Sequence, residues 1–171
     1  VLSTLHTSAQ ALLHDPALDE DFSQLKNSSL ISVYLGFDVP DELLPENGTG
    51  FIAAEGSELV CDACTWTSRK WDHTSARRRL LVRLFYKSSS PAYERLVRLS
   101  EDELVEVGLR DIEMSLGLSV RPVTHVVTKW HETMPNYHIK HHDLVKSLER
   151  KMAERHPGIY LAGCSYYGVG I

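Results

Sequence analysis

The residues with the most capacity for chemistry stand near the C-terminus, where Gly163-Cys164-Ser165-Tyr166-Tyr167-Gly168-Val169-Gly170-Ile171 spaces its glycines as G-x-x-x-x-G-x-G. Glycines crowded behind a short apolar run, here Ile159 to Ala162, let backbone amides approach a ligand closely, commonly at the mouth of a following helix. On spacing alone, a strand closing in a tight turn or hairpin is the plainer account. The motif is not the dinucleotide fingerprint G-x-G-x-x-G, which occurs nowhere in the chain.

Other stretches carry weaker signals. Trp130 closes an apolar segment, and Met134-Pro135 predicts an extended turn just after it. A Trp and a Tyr beside such a turn, Trp130 and Tyr137, would wall a flat aromatic ligand by stacking, or simply pack a corner of the core. Arg77-Arg78-Arg79 and Arg83 offer guanidinium groups to carboxylates; a solvated turn accounts for the triplet, whereas Arg83 lies inside an apolar segment. Cys61 and Cys64 form a C-x-x-C within a strand pattern, where residues three apart point to opposite faces, so core packing is expected rather than metal or redox chemistry. His138, His141 and His142 cluster without further ligands at metal spacing except Asp143, which reads as a solvated loop before a helix. No nucleophile–base pair or G-x-S-x-G elbow is visible.

The chain has 171 residues, 43% of them hydrophobic and 24% charged, enough for one domain or somewhat more with a sizeable core. Its formal net charge of −5, with Lys and Arg scattered among acids, argues against a nucleic-acid footprint. No apolar run has the roughly 20 residues of a membrane span, and no signal peptide opens the chain. Three cysteines do not make a secreted disulfide framework, so the cytoplasm is the expected compartment. The chain starts without Met on Val1-Leu2-Ser3-Thr4-Leu5 and stops where a helix is expected, so both ends read as cut.

The elements that must position these groups follow from patterning. Val1 to Leu5 reads as a strand, followed by a short helix capped by Thr7 or Ser8 and stopped at Asp15-Pro16. Residues 15 to 29 read as a polar loop or loose turn. Val33, Leu35, Phe37 and Val39 alternate on one face of a strand that Pro40 ends. Phe51 to Ala54, Leu59 to Thr67 and Leu80 to Tyr86 read as further strands at hairpin-like spacing, which predicts an antiparallel sheet. Ser100 to Glu103 is a capping box opening a helix through Leu116, with Gly117 as its C-cap. Val123 to Trp130 is the next strand, and Asp143 opens a second helix with Leu144, Val145, Leu148 and Met152 on one face. The fold class is therefore α+β. Its terminal strands, short and without alternation, look buried on both faces and belong to a different sheet from the middle ones.

Taken in order, Gly48-Thr49-Gly50-Phe51, Ala63-Cys64-Thr65-Trp66-Thr67-Ser68-Arg69-Lys70-Trp71, Lys129-Trp130 to Tyr137, and Gly163 to Ile171 resemble the C-terminal part of the Gram-positive coproporphyrinogen III oxidases, formerly called protoporphyrinogen oxidases, of the amine-oxidase-like flavoproteins. The resemblance implies an antiparallel substrate-domain sheet with flanking helices over residues 15–130. Residues 1–14 and 131–171 would then belong to an FAD-binding α/β domain that ends in the glycine loop. It implies FAD as cofactor, with Trp130, Gly168, Val169, Gly170 and Ile171 beside it, and Arg83 and Tyr137 as substrate contacts. It further implies a porphyrinogen substrate, dioxygen as acceptor, no metal and no catalytic side chain that can be named here. Any membrane contact would be made through parts outside the chain. Asp72 stands where a proline is usual, Cys164 where alanine is, and the pyrophosphate-binding glycine motif is missing, so the segment alone is expected to be inactive. Another amine-oxidase-like flavoenzyme, or a stand-alone porphyrin- or haem-binding module, are the alternatives.

Overall fold

A computed structural model describes residues 1–169. In chain order they form α1 (His6–Leu13), α2 (Asp19–Gln24), β1 (Lys26–Pro40), β2 (Gly50–Ile52), β3 (Ala63–Trp66), α3 (Thr67–Lys70), β4 (Arg79–Lys87), α4 (Tyr93–Leu96), α5 (Glu101–Leu116), β5 (Thr124–Asn136), α6 (His141–Arg155) and α7 (Cys164–Tyr167). The fold is α+β, with one five-stranded antiparallel sheet in the order β2-β3-β4-β1-β5. The chain divides into two compact units, Val1–Ser28 with Glu132–Ile171, and Ser29–His131.

The first unit is helical, and its core is Ala9, Leu18, Phe22, Leu25, Leu144, Val145, Leu148, Met152, Leu161 and Tyr166. The apolar face read from α6 is buried as its spacing requires. The polar stretch after residue 15 is more ordered than its composition suggests. The Asp15 carboxylate accepts from the Ala17 N–H at 3.1 Å and caps a 3-10 turn, and α2 then buries Phe22. α1 starts one residue before Thr7, on the backbone of Leu5, with no side-chain cap. The two expected terminal strands shrink to a single parallel bridge between Leu2 and Leu161. In it the Leu2 N–H donates to the Tyr160 carbonyl at 2.7 Å and the Ala162 N–H to the Leu2 carbonyl at 2.8 Å. Leu161 is buried, but Tyr160 is 67% exposed, so this run is not sealed on both faces.

The second unit contains a separate core built on one face of the sheet. Val33, Leu35 and Phe37 of β1 and Leu80, Val82, Leu84 and Tyr86 of β4 alternate into it. Burying each such side chain stabilises by about 1.5–3 kcal/mol. α5 covers this face. Its start is the expected capping box, in which Ser100 Oγ accepts from the Glu103 N–H and the Glu103 carboxylate accepts from the Ser100 N–H at 2.8 Å. Gly108 lets α5 come close, since a Cβ there would lie 3.3 Å from Leu84 and 3.5 Å from Leu35.

One strand pairing and two strand boundaries differ from the sequence expectation. β1 pairs with β4, not with the next strand in the chain, in a register running from Leu30↔Lys87 to Gly36↔Leu81. The expected strand from Leu59 shortens to Ala63–Trp66 because the N–H groups of Val60 and Cys61 donate to the carboxylate of Asp111 instead of to a ladder. β5 runs on through Pro135 to Asn136 with no turn after Trp130. It is an edge strand, where a residue lacking an N–H is tolerated.

Candidate functional site

The sheet's second face, opposite α5, carries the candidate residues of the second unit. Alternation that sends Val33, Leu35 and Phe37 inward sends Ser32, Tyr34 and Gly36 to this face, and the register places them beside Phe85, Arg83 and Leu81 in that order. Arg83 also lies opposite Thr65 of β3. Its guanidinium carbon sits 5.0 Å from the centre of the Tyr34 ring and 4.5 Å from that of Phe85, the range of cation–π attraction. The Arg83 Nε is buried with no hydrogen-bond partner among the described residues. A half-buried guanidinium flanked by rings and missing an acceptor is suited to a carboxylate, which takes two parallel N–H donors.

Trp130 stands on the edge strand of the same sheet, 41% exposed, and its indole N–H donates to the buried Ser32 Oγ at 3.2 Å. That bond ties the indole to β1. Farther along β5, toward its start, Tyr34, Gly36, Leu81, Thr124, His125 and Val126 line a hollow of about 320 Å³. Arg83 and Trp130, singled out separately in the sequence, are thus on one sheet. Ser32, Tyr34 and Phe85 were not singled out; the signal was the alternation of β1, whose non-core positions include Ser32 and Tyr34, and of β4, whose non-core positions include Phe85. Of the Arg77–Arg79 triplet, Arg78 pairs with Asp41 at 3.6 Å and Arg79, the first residue of β4, with Asp38 at 3.1 Å.

The other candidates fall in the first unit. Tyr137 is 39% exposed, and its hydroxyl donates to the carbonyl of Cys164, the first residue of α7. Its ring meets that of His141 edge-on, centroids 4.7 Å apart, and burial pushes the phenol's pKa up. The His141 Nε2 lies 3.0 Å from the Tyr166 carbonyl. The glycine loop is therefore a short helical turn rather than a hairpin. It leaves through Gly168, at φ 115°, where a Cβ would meet no atom within 4 Å, and through Val169, 65% exposed. Gly170 and Ile171 lie outside the described residues.

Cys61 and Cys64 are both buried in the second unit's core. Burial, with the Asp111 carboxylate second, pushes the Cys64 thiol up to about 12 and that of Cys61 higher still. Thiols held protonated are poor nucleophiles and metal ligands. Among the described residues no cluster of three His, Cys, Asp or Glu is placed to hold a metal ion, and no helix is long and apolar enough to cross a membrane.

Comparison with known proteins covers the whole length. The chain is 30% identical over 171 residues to coproporphyrinogen III oxidase of Bacillus subtilis, covering all of this chain and 36% of that protein. It is 29% identical over 157 residues to the enzyme of the same name from Staphylococcus aureus, covering 92% of this chain and 33% of that one. The chain thus spans about a third of the length of these relatives. Among solved structures it resembles a candidate protoporphyrinogen oxidase of Exiguobacterium sp. at a TM-score of 0.81 and 32% identity, covering 99% of this chain and 36% of that one. Reduced UDP-galactopyranose mutase shares the fold, at a TM-score of 0.57 and 14% identity over 82% of this chain and 29% of that one. The family model for flavin containing amine oxidoreductases matches residues 1–171, and the chain belongs to that family.

Proposed function

We propose that this chain is the segment of an FAD- and dioxygen-dependent porphyrinogen oxidase that supplies the substrate-facing sheet and the C-terminal flavin loop. On this reading Ser29–His131 is the substrate-binding unit and the remainder belongs to the FAD-binding domain. The observation that carries the proposal is Arg83, a ring-flanked guanidinium with a buried, unpartnered Nε on the sheet that also bears Trp130. A porphyrinogen, whether coproporphyrinogen III or protoporphyrinogen IX, is a broad apolar macrocycle carrying propionate carboxylates. Arg83 holds a propionate, and Tyr34, Phe85 and Trp130 offer apolar surface to the pyrrole rings.

The residues present fit a flavin. Gly168 turns its backbone into open space and Val169 is exposed, so main-chain groups there are free to approach a planar ring. Gly168 and Val169 would hold it, together with Gly170 and Ile171 as the sequence resemblance implies. When bound, FAD supplies hydride acceptance from the porphyrinogen, repeated until the macrocycle is aromatic, with dioxygen taking the electrons to give peroxide. The chain's own part is to bind and orient, which is how proteins of this kind contribute to cofactor chemistry. The reaction is assigned to the cytoplasm.

Coproporphyrin III, the stable aromatic product, tests the reading. Titrated against the protein with quenching of its tryptophan emission as readout, it should bind, and Arg83→Leu should weaken binding roughly tenfold to a hundredfold, the value of a hydrogen bond to a charged group. Arg83→Lys should fall between, since an ammonium cannot reproduce the paired donors. Equal affinities for the native protein and Arg83→Leu would remove Arg83 from the site. A visible spectrum before and after addition of FAD tests the cofactor separately.

A further inference from the structure

α7 is a single turn of four residues between two glycines, and one isolated helical turn does not hold itself together in water. Within it, the N–H groups of Tyr166 and Tyr167 donate to the Gly163 carbonyl at 3.1 and 3.3 Å. Its shape comes from outside, one attachment per residue. The Cys164 carbonyl accepts from the Tyr137 hydroxyl. Ser165 Oγ accepts from the His6 N–H at 3.3 Å, and the Tyr167 hydroxyl donates to Glu149. The Tyr166 carbonyl faces His141 Nε2 at 3.0 Å.

A carbonyl only accepts, so His141 Nε2 must carry the proton and Nδ1 is bare in the neutral ring. Nδ1 is buried and has no partner among the described residues, so nothing competes for the opposite tautomer. Tyr137 and His141 are four residues apart, ring edge to ring face at 4.7 Å and 72°, and His141 opens α6, whose Leu144, Val145 and Leu148 are anchored in the core. Tyr137, in the segment between β5 and α6, and His141, the first residue of α6, thus grip two carbonyls of α7 at once.

We propose that Tyr137 and His141 are positioning residues, which hold α7 in the shape that presents Gly168 and Val169 to the flavin. The proposal rests on the flavin reading above. Its readout is amide hydrogen exchange at residues 164–168, measured by NMR without cofactor, beside FAD binding followed by flavin fluorescence. His141→Asn and Tyr137→Phe each remove one grip and should speed exchange at Tyr166 and Tyr167 roughly fivefold to tenfold, the value of one hydrogen bond. His141→Gln carries its amide nitrogen out to the place of Nε2 and should restore slow exchange. FAD dissociation constants should follow the same order. Indistinguishable Asn and Gln variants, or unchanged exchange in Tyr137→Phe, would overturn the clamp. If the native protein takes up no FAD, the flavin reading and the cofactor half of this proposal fall together, and exchange alone then judges the grip on α7.

Discussion

Replacing Asp111 should unseat the segment that leads into β3. The side chain is 1% exposed in the second unit's core, where its carboxylate accepts from Val60 N–H at 2.8 Å, Cys61 N–H at 2.9 Å and the Tyr86 hydroxyl at 3.1 Å. Asp111→Ala strands two backbone donors and one hydroxyl in a dry interior. Each stranded group costs about 1–3 kcal/mol, partly offset by no longer burying the carboxylate, for a net loss of about 3–4 kcal/mol. Asp111→Asn keeps the shape but turns an N–H₂ toward one of the two backbone donors, at a cost of about 1–2 kcal/mol. Burial raises the carboxyl's pKa above its ordinary 3.8, with the hydrogen bonds from Val60 and Tyr86 opposing. A raised folded-state pKa means that the folded state binds the proton more tightly than the unfolded state. The contribution of Asp111 is therefore largest below pH 3.8 and declines as pH rises through the folded pKa, then stays level. Urea unfolding followed by emission of the buried Trp66, at a series of pH values from 4.5 to 7 (a span of ~2.5 units), measures both effects. Equal losses for Ala and Asn, or a gap between native and Ala proteins that widens with pH, would refute the reasoning.

In the first unit, Arg155 pairs with Asp15 through two contacts at 2.6 and 2.8 Å and, with help from Ala17 N–H and His156, holds that carboxyl well below its usual range. A depressed folded pKa gives stability that is present above pH 3.8 and lost in acid, so Arg155→Gln should lower Tm at neutral pH and by less as the pH falls toward 3, a closing gap that differential scanning calorimetry reads. Ser100→Ala removes the capping box of α5 and should cost about 1 kcal/mol by urea unfolding; a loss near zero would mean that the tertiary packing of α5 makes its cap redundant.

What was legible in the sequence was local. α5 is announced by Ser100 and Glu103 and closed by Gly117, and α6 by the spacing of Leu144, Leu148 and Met152; both signals lie within the helix itself. β1 was legible from alternation and β4 from its run of Leu, Val and aromatic residues. The neighbour of β1 was not, because strand order depends on pairing between residues about fifty positions apart. The residues 59–62 read as strand because their apolar character is genuine, but their N–H groups are taken by Asp111, some fifty residues on. Arg83 stood out for lying in an apolar run, yet its ring partner Tyr34 became identifiable only through the β1–β4 register. Nothing in the sequence around Tyr137 announces that its hydroxyl will donate to a main-chain carbonyl at Cys164.

The three cysteines differ sharply in their surroundings. Cys61 and Cys64 are sealed in a core with thiols that stay protonated, while Cys164, the first residue of α7, is exposed. Alkylating reagents attack the accessible thiolate, so a maleimide at neutral pH should modify the folded native sequence at one position only. That position lies four residues from Gly168. The protein therefore carries a built-in attachment point for a fluorophore or spin label beside its C-terminal loop, and the loop's motion can be followed by spectroscopy without introducing or removing a single cysteine.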